Sequence, residues 1–295
     1  MNKEKAETLM RVERERERES NSIPIFLASD DKYAPMVAVT IASIMENTKS
    51  QIAFYILDNN ISSLNKKKII RFLKKYSNCS TNFININSEL FARFPETFHY
   101  SKAMYSRYLI PEIQSNLKKV IYTDVDVIFL NDIKEFFDIN LDGYGLAAPI
   151  EEIGQILENA WDFNKRKKEL GISFSHKFFQ SGNLLIDCEY WKNNKITEQL
   201  LRKTEEKSNK LLAPDLEILN IIFENNYKKL DYRYSVCVHM INNQNKNLSV
   251  MKESLKNPYL IHFSGNKKPW NSHTKYSWHF WKYARKTPFF YNLIV

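Results

Sequence analysis

Short apolar runs alternate with amphipathic segments along the first half of the chain. Four runs predict strands: IPIFLAS beginning at Ile23, QIAFYILDN, the stretch 81–86, and VIYTDVDVIFL, which passes through an acidic turn and re-emerges as IFL. Helices are predicted between them over 35–46, in SSLNKKKIIRFLKKY, and in SKAMYSRYLIPEI up to Pro111. This alternation predicts an α/β fold whose sheet is mostly parallel, with ligands at the carboxyl ends of the strands.

The second half is less regular. LAAPI and GNLLIDC predict strands, 153–170 predicts a helix or lid, and PDLEILNIIFEN predicts a helix beginning at Pro214. Neither an internal repeat nor a low-complexity linker interrupts the pattern, which favours one domain over two. We therefore expect one folded domain over 23–265, preceded by a charged appendage, 1–22, and followed by a basic aromatic segment, 266–295.

Composition excludes several classes of protein. With 43% hydrophobic and 26% charged residues, the chain is typical of a globular protein. Its apolar runs are too short for a membrane span and its first residues lack an apolar signal core, so a cytoplasmic address is expected. Three scattered cysteines favour neither a disulfide framework nor a zinc site. The net charge of +9 indicates an anionic partner: nucleic acid, a membrane surface or a phosphate-bearing substrate.

An Asp-x-Asp pair is the first candidate for chemistry. Asp124 and Asp126 follow the apolar run VIYT, and side chains two positions apart leave the same side of an extended backbone. They could share one Mg²⁺ or Mn²⁺, because both ions prefer oxygen ligands and can bridge carboxylates to a diphosphate. A solvated turn is the common alternative for such a pair. Its place at the end of a strand favours the metal site.

A second polar cluster lies in LIHFSGNKKPW. There His262 follows an apolar strand and could be a third ligand, although a single histidine at a strand end is more often structural. Gly265 would let the backbone approach a phosphate, and Lys267 or Lys268 could neutralise a departing diphosphate.

Six segments together resemble glycosyltransferase family 8. They are IFLASDDKY, HYSKAMYSRYLI, KVIYTDVDVIFLNDI, FFQSGNLLIDCEYW, PDLEILN and IHFSGNKKPW, in the family's order from about Ile23 to Trp270. The resemblance implies a GT-A fold with a mixed, mostly parallel sheet, a UDP-sugar donor, Mn²⁺ (or Mg²⁺) and transfer with retention of the anomeric configuration.

The resemblance also implies roles for residues on the nucleotide side of the site. Asp124, Asp126 and His262 match the metal ligands. Asp30 would read the uracil edge and Tyr33 would stack on the base, within a nucleotide-binding loop that also includes Ala28. Arg107 matches an arginine that contacts the donor, for which a salt bridge on a surface helix is the alternative. Gly265 and Lys268 match the loop that closes over the diphosphate, with Asp124 also counted among the donor contacts.

Candidate sugar-side residues are Asp215 and Glu217, which follow Pro214 and could instead be helix-capping acids. Glu151 matches an acidic position that contacts sugar. Gln180 stands where the family commonly has Asn, so its reach toward the sugar differs. Leu216 stands at the middle of the family's Asp-Gln-Asp motif, and a leucine cannot hydrogen-bond the donor sugar.

The segment KKPWNSHTKYSWHFWKYARK interleaves cations with aromatic rings. This composition favours peripheral contact with an anionic membrane, here the inner face of the plasma membrane. Stacking on nucleic acid is a less favoured interpretation. The structural alternative is that the aromatic side chains pack on the domain.

The resulting hypothesis is a UDP-sugar-dependent retaining hexosyltransferase that moves galactose or glucose to a glycan or lipid-linked oligosaccharide acceptor of the lipopolysaccharide or lipooligosaccharide type. A metal-dependent nucleotidyltransferase and a catalytically silent sugar-nucleotide binder are the alternatives.

Overall fold

The computed structural model of the protein describes residues 21–96, 101–151, 162–242 and 248–294. Within these residues, ten strands belong to two sheets: β1 Ile23–Asp30, β2 Ile52–Asn59, β3 Cys79–Asn85, β4 Lys119–Thr123, β5 Val127–Phe129, β6 Leu146–Pro149, β7 Asn183–Asp187, β8 Lys228–Leu230, β9 Val236–Cys237 and β10 Leu260–His262.

The α-helices pack around these sheets. They are α1 Ala34–Met45, α2 Ser63–Leu73, α3 Ile110–Ile113, α4 Ile133–Phe137, α5 Phe163–Leu170, α6 Cys188–Asn193, α7 Ile196–Lys207, α8 Pro214–Ile222, α9 Val238–Asn242, α10 Leu248–Lys256, α11 Ser277–Ala284 and α12 Phe290–Leu293. Four short 3₁₀ helices lie between them, at Ser88–Phe91, Lys102–Leu109, Ser208–Lys210 and Tyr232–Ser235.

The larger sheet has the strand order β3-β2-β1-β4-β7-β6-β8. β7 runs antiparallel to both of its neighbours, β4 and β6, while the other pairs are parallel. The expected mixed, mostly parallel sheet is confirmed. β5, β10 and β9 form the smaller sheet, in which β10 pairs antiparallel with β5 and parallel with β9.

Alternating residues of the central strands feed two cores, one on each face of the larger sheet. On β1, Ile25 and Leu27 pack in one core together with α1 and α2, while Phe26 packs in the other with Tyr105. This alternation is the period of an extended strand covered on both faces, and it explains why IPIFL is apolar throughout.

The predicted fourth strand is divided between the sheets. β4 ends at Thr123 in the larger sheet, and β5 resumes at Val127 in the smaller one. Helix α1 fixes the intervening turn, since the buried Thr40 hydroxyl lies 2.8 Å from the Val125 carbonyl oxygen and Ser43 Oγ accepts a hydrogen bond from the Phe129 amide at 3.0 Å. Polar residues on an otherwise apolar helix therefore hold the acidic turn in place.

The C-terminal segment packs against the domain. Phe280, Tyr283 and Ala284 of α11 are buried in the same core as α1, whereas Trp278 and Tyr291 are 63% and 77% exposed. Among the described residues, no helix is long and apolar enough to cross a bilayer. The charged appendage lies almost wholly outside the described residues, as does 152–161 of the predicted helix or lid.

Candidate active site

The acidic turn between β4 and β5 lies where the two sheets meet. The Asp124 amide donates to the Gly182 carbonyl at 2.8 Å, and the Asp126 carbonyl accepts from the Phe263 amide at 2.9 Å. The turn is thus tied to the residue before β7 and to the residue after β10. Because β10 pairs with β5 in the register His262↔Val127, the imidazole is carried to the side of the aspartates.

Asp124, Asp126 and His262 form the cluster that the sequence predicted. One ligand atom from each lies within 4.8 Å of the others, and His262 Nε2 is 3.2 Å from Asp126 Oδ1 and 3.8 Å from Asp124 Oδ2. Two carboxylate oxygens and one imidazole nitrogen suit Mn²⁺ and also accommodate Mg²⁺, with positions left for substrate oxygens.

Each carboxylate uses its other oxygen for a positioning contact. Asp124 Oδ1 accepts hydrogen bonds from Arg107 Nη2 at 2.9 Å and from the Tyr122 hydroxyl at 2.7 Å. Asp126 Oδ2 is paired with Lys268 Nζ. The oxygens that face His262 are therefore the ones left for a cation, so the donor set fits a divalent ion.

Gly182 provides independent support for this fit. A Cβ at this position would lie 2.5 Å from His262 Cε1 and 2.6 Å from Asp124 Oδ2, closer than side-chain carbons approach in proteins. A residue without a side chain is needed here because the backbone of FFQSGN passes directly against two of the three candidate ligands.

Electrostatics couple the cluster internally. Burial by itself would raise the pKa of Asp126, but the neighbouring Lys268 ammonium and His262 imidazole outweigh it and hold that pKa below its usual range. Burial opposes a charged His262, yet Asp126 raises the pKa of the imidazole well above its ordinary value. A cation that binds between Asp126 and His262 must displace the proton of the His262 imidazole, so metal affinity should fall as the pH falls.

The loop after β10 carries the basic contribution. Lys268 is buried, and its ammonium also donates to the Phe263 carbonyl at 2.7 Å. Gly265 has a φ of +82°, which favours glycine. Lys267 is exposed, so Lys268 is the lysine that the structure brings to the cluster. His239 lies beneath this loop, with Nδ1 2.6 Å from Ser264 Oγ.

Arg107 is 3% exposed and reaches across the site from the 3₁₀ helix Lys102–Leu109. Besides Asp124, its guanidinium pairs with Asp215 Oδ2 at 2.8 Å, donates to the Ser181 carbonyl at 2.8 Å and lies 4.2 Å from the centre of the Tyr122 ring. The alternative of a surface salt bridge is therefore wrong. A buried arginine between two aspartates holds both carboxylates in fixed positions.

Asp215 and Glu217, both on α8, face different surroundings. Asp215 lines the cavity and accepts from Ser181 Oγ at 2.9 Å, and burial raises its pKa while Arg107 opposes this. Glu217 is fully buried elsewhere, bound by Arg166 at 2.6 Å and by the Leu212 amide at 2.8 Å. The structure does not bring Glu217 to the candidate site, because a side chain two positions along a helix points to the opposite side. Its contacts are structural.

Gln180, Glu151 and Leu216 line the same cavity. Gln180 Nε2 is 3.4 Å from Glu151 Oε1, and Gln180 Oε1 accepts from the Gly182 amide at 3.2 Å. Glu151 Oε2 is buried without a protein partner among the described residues, and burial raises the pKa of this carboxyl to about 7, which His262 partly offsets. Leu216 adds an apolar wall.

The nucleotide-side candidates follow the carboxyl end of β1. Ala28, Asp30 and Tyr33 all line the cavity, Asp30 Oδ1 accepts from the Tyr33 amide at 3.0 Å, and the Tyr33 ring packs edge-on against Trp270 with centres 6.2 Å apart. The half-buried Tyr33 ring is thus held at the cavity edge, next to the segment that follows Gly265 and Lys268.

The cavity that joins these groups has a volume of about 600 Å³. Sequence reasoning missed several of its lining residues, which lack charge or lie in apolar segments: Ser29, Met104, Tyr122, Ser181, His239, Met240 and Ser264. Only position-specific matching to relatives could have marked them. Burial lowers the pKa of His239 to about 4, and His262 and Lys268 add to the effect, so its imidazole is neutral near pH 7.

Comparisons with solved structures show the fold. The protein superposes on the galactosyltransferase LgtC, solved with donor and acceptor sugar analogues, with a TM-score of 0.78 and 24% identity over 90% of this chain and 96% of that one. It also superposes on the glycosyltransferase GlyE of Streptococcus pneumoniae with a TM-score of 0.66 and 21% identity, covering 90% of this chain and 60% of that one. The expected GT-A architecture is confirmed.

Curated relatives agree. General stress protein A of Bacillus subtilis is 27% identical over 88% of this chain and 91% of its own length. A putative glycosyltransferase of Haemophilus influenzae is 32% identical over 73% of this chain and 64% of its own, and a lipopolysaccharide 1,2-glucosyltransferase of Escherichia coli is 26% identical over 85% and 74%. The model of glycosyl transferase family 8 matches residues 24–274. The chain therefore belongs to glycosyltransferase family 8.

Proposed function

We propose that the protein transfers a hexosyl unit, galactose or glucose, from a UDP-sugar to a glycan acceptor with retention of the anomeric configuration. The proposal rests mainly on the cluster of Asp124, Asp126 and His262 at the edge of a cavity of about 600 Å³. Cavities of this size take substrates of the size of a sugar nucleotide. The names of the galactosyltransferase and lipopolysaccharide glucosyltransferase relatives support a hexose and a lipopolysaccharide-type acceptor.

The donor would lie along the carboxyl ends of β1 and β4. Its uridine would contact Ala28, Asp30 and Tyr33, and its diphosphate would lie between the aspartates and the loop of Gly265 and Lys268. Ligands of open α/β sheets bind at this edge. The donor would then span the cavity from the β1 end to Asp215.

Cleavage of the sugar–phosphate bond leaves negative charge on UDP. When bound, a divalent cation held by Asp124, Asp126 and His262 would stabilise that charge as a Lewis acid. Lys268 lies close enough to Asp126 to turn its ammonium toward the same phosphates, and a fixed, buried cation acts without reorganising solvent. Arg107 keeps Asp124 and Asp215 in place at the start of the reaction.

On the sugar side, the available polar groups are Asp215, Gln180 and Glu151. Each lines the cavity, and each has at least one oxygen or nitrogen held by a neighbour, so the groups are oriented before substrate arrives. Leu216 offers no hydrogen bond, so we propose that sugar recognition depends on this trio and not on the α8 position after Asp215.

The test is UDP release from a panel of UDP-glucose, UDP-galactose and their N-acetyl forms, with Mn²⁺, Mg²⁺ or EDTA. Slow release with one hexose donor, lost with EDTA and in Asp126→Asn, is expected. Asp138→Asn is the matched control, since Asp138 is exposed and pairs with Lys134 on α4. Binding of UDP without release from any donor would indicate a silent binder. Consumption of nucleoside triphosphates with pyrophosphate release would indicate a nucleotidyltransferase; either result overturns the proposal.

We also propose that the acceptor is lipid-linked and that the enzyme works peripherally at the inner face of the plasma membrane. The exposed Trp278 and Tyr291 of the C-terminal segment support this, whereas the buried Phe280 and Tyr283 do not contribute.

A further inference from the structure

A long interval of the chain around α2 has no acidic residue. Asp and Glu are absent from 59–88, and they are absent again from 254–295. The two intervals lie far apart in sequence; the first contains six Lys and Arg residues, all within 66–75, and the second contains seven. Their helices, α2 and α11–α12, pack in the same core on one face of the larger sheet.

Side-chain contacts join the two helical regions along a seam. Lys68 Nζ lies 5.2 Å from the centre of the Phe289 ring, and Lys75 Nζ donates to the Lys286 carbonyl at 3.4 Å. Glu46 pairs with Lys286 and accepts from the Tyr76 hydroxyl at 2.9 Å, so this acid is already neutralised at the seam. The outer sides of α2 and the C-terminal helices are therefore continuous.

The exposed side of α2 combines cations with aliphatic side chains. Positions 67, 70, 71 and 74 lie on one side of the helix, and Lys67, Ile70, Arg71 and Lys74 are all exposed. Leu64 is 64% exposed and Ile70 44% exposed. Ile69, Phe72 and Leu73 on the other side anchor the helix in the core.

The exposed side of α11 repeats the combination. Trp278, Lys282 and Arg285 stand at successive turns of this region and are all exposed, and Tyr291 and Ile294 extend the apolar part beyond it. Cations interspersed with bulky apolar side chains are the composition of surfaces that lie in a membrane interface. The aliphatic side chains Leu64, Ile70 and Ile294 have no ring on which a nucleic-acid base could stack, which favours lipid over nucleic acid.

We propose that α2 and the C-terminal helices together form one docking surface for an anionic lipid bilayer, to which the exposed cations of α2 contribute directly. This inference rests on the proposed function only for the location of the acceptor. No residue of α2, α11 or α12 lines the active-site cavity, so docking through these helices leaves the chemistry itself unchanged.

Vesicle binding of the full chain tests the surface. Phosphatidylcholine vesicles with and without phosphatidylglycerol are compared by sedimentation for the unaltered protein and for the triple variant Lys67→Gln, Arg71→Gln, Lys74→Gln. Each cation lost should weaken binding to the anionic vesicles about fivefold, so the triple variant should bind roughly 100-fold more weakly. Binding to pure phosphatidylcholine should be weak for both proteins.

The matched control removes three positive charges elsewhere. Lys165, Lys168 and Lys229 are exposed, and α5, which carries the first two, packs in the core on the other face of the sheet. The triple change of these lysines to Gln should leave vesicle binding within about twofold, since cations far from the bilayer lie beyond the screening distance. Point variants are preferred to deletion of the tail, because deletion would also remove the buried Phe280 and Tyr283.

Equal losses in both triple variants would show that only net charge matters and would overturn the proposal, as would unchanged binding in the α2 variant. Ile70→Ser adds a second readout: it should weaken vesicle binding but not binding to a single-stranded oligonucleotide. Tighter binding to the oligonucleotide than to anionic vesicles at the same salt would assign the surface to nucleic acid and refute the inference. UDP release from a free donor should be the same in all variants as in the unaltered protein. If the unaltered protein also releases no UDP, that result counts against the proposed transferase activity and not against the docking surface.

Discussion

Gly182→Ala is the sharpest perturbation of the candidate metal site, because it changes no ligand. The added Cβ would lie 2.6 Å from Asp124 Oδ2 and 2.5 Å from His262 Cε1. Carbon and oxygen atoms rarely approach closer than about 3.3 Å, so one ligand or the backbone must move by about 0.7 Å. Sites of this kind tolerate about 0.2 Å in their metal–ligand distances, so the shift should disturb the site.

Changes beside metal ligands cost roughly 10–100-fold in metal affinity or activity, and we expect Gly182→Ala to fall in that range. The measurement is UDP release as a function of Mn²⁺ concentration, with the urea midpoint measured alongside. The strain should also cost about 1–3 kcal/mol of stability, which alone could lower activity if the variant were partly unfolded.

Gly145→Ala separates the two effects. A Cβ there would clash with the Tyr190 ring, at 2.6 Å from Cε1, and would lie 3.0 Å from Phe223, but Gly145 does not line the cavity. It should be destabilised to a similar degree with an unchanged Mn²⁺ dependence. If Gly182→Ala shows the same Mn²⁺ dependence as Gly145→Ala, the close approach of FFQSGN to the ligands has no role in metal binding and the reasoning fails.

Three further predictions follow from buried groups. Glu217→Ala should destabilise the fold by about 3–5 kcal/mol in urea unfolding, because Arg166 loses its buried carboxylate partner, while the folded fraction should keep its rate of UDP release. A variant with unchanged stability and no UDP release would instead show that Glu217 acts in the active site. The pKa of the Glu151 carboxyl is about 7 in the folded protein and ordinarily 4.5, so the free energy of unfolding should fall by about 3 kcal/mol at most as the pH rises from 4.5 to 7. Glu151→Gln should flatten this dependence on pH in metal-free buffer, and an unchanged dependence would contradict the prediction. Leu216→Gln places a hydrogen-bonding amide in the cavity and should change the ratio of kcat/KM for UDP-galactose and UDP-glucose by about 10-fold; an unchanged ratio would mean that position 216 does not face the sugar.

β1, β2 and β4 of the parallel part of the sheet were predictable from sequence because they are apolar on both faces and helices separate them. The reversal of β7 was not, since NLLID has the same pattern in either direction and only its pairing with β4 and β6 defines its orientation. Of the smaller sheet, the IFL run of β5 and the apolar strand that leads to His262 were predicted, whereas β9 was missed because its two residues are too few for a periodic signal. The pairing of β5, β10 and β9 in a sheet of their own depends on contacts between residues distant in sequence.

Prediction of the site depended on how each residue reaches it. Asp124 and Asp126 were predictable as a pair because they follow an apolar strand, but they lie in the turn between β4 and β5, and the backbone contacts of that turn, not strand alternation, bring their side chains together. The separation of Glu217 from Asp215 could have been anticipated, because the same sequence predicts a helix from Pro214, and two helical steps rotate a side chain by about 200°. The position of His262 near the aspartates could not be predicted from local sequence, because only the antiparallel register of β10 on β5 brings it there.

In each aspartate of the cluster, one carboxylate oxygen is bound by a buried cation and the other faces His262, which gives the cations Arg107 and Lys268 a role beside the two acids. Oδ1 of Asp124 is held by Arg107 and Tyr122, and Oδ2 of Asp126 is held by Lys268, which leaves one oxygen on each to face His262. Two free carboxylates so close together would repel each other. The fixed cations remove that penalty, and they also orient the remaining oxygens toward a common point. Under the proposed function, Arg107 and Lys268 would position the candidate ligands before a donor binds, so replacing either one should weaken Mn²⁺ binding even when no nucleotide is present, a result that a purely substrate-binding role would not produce.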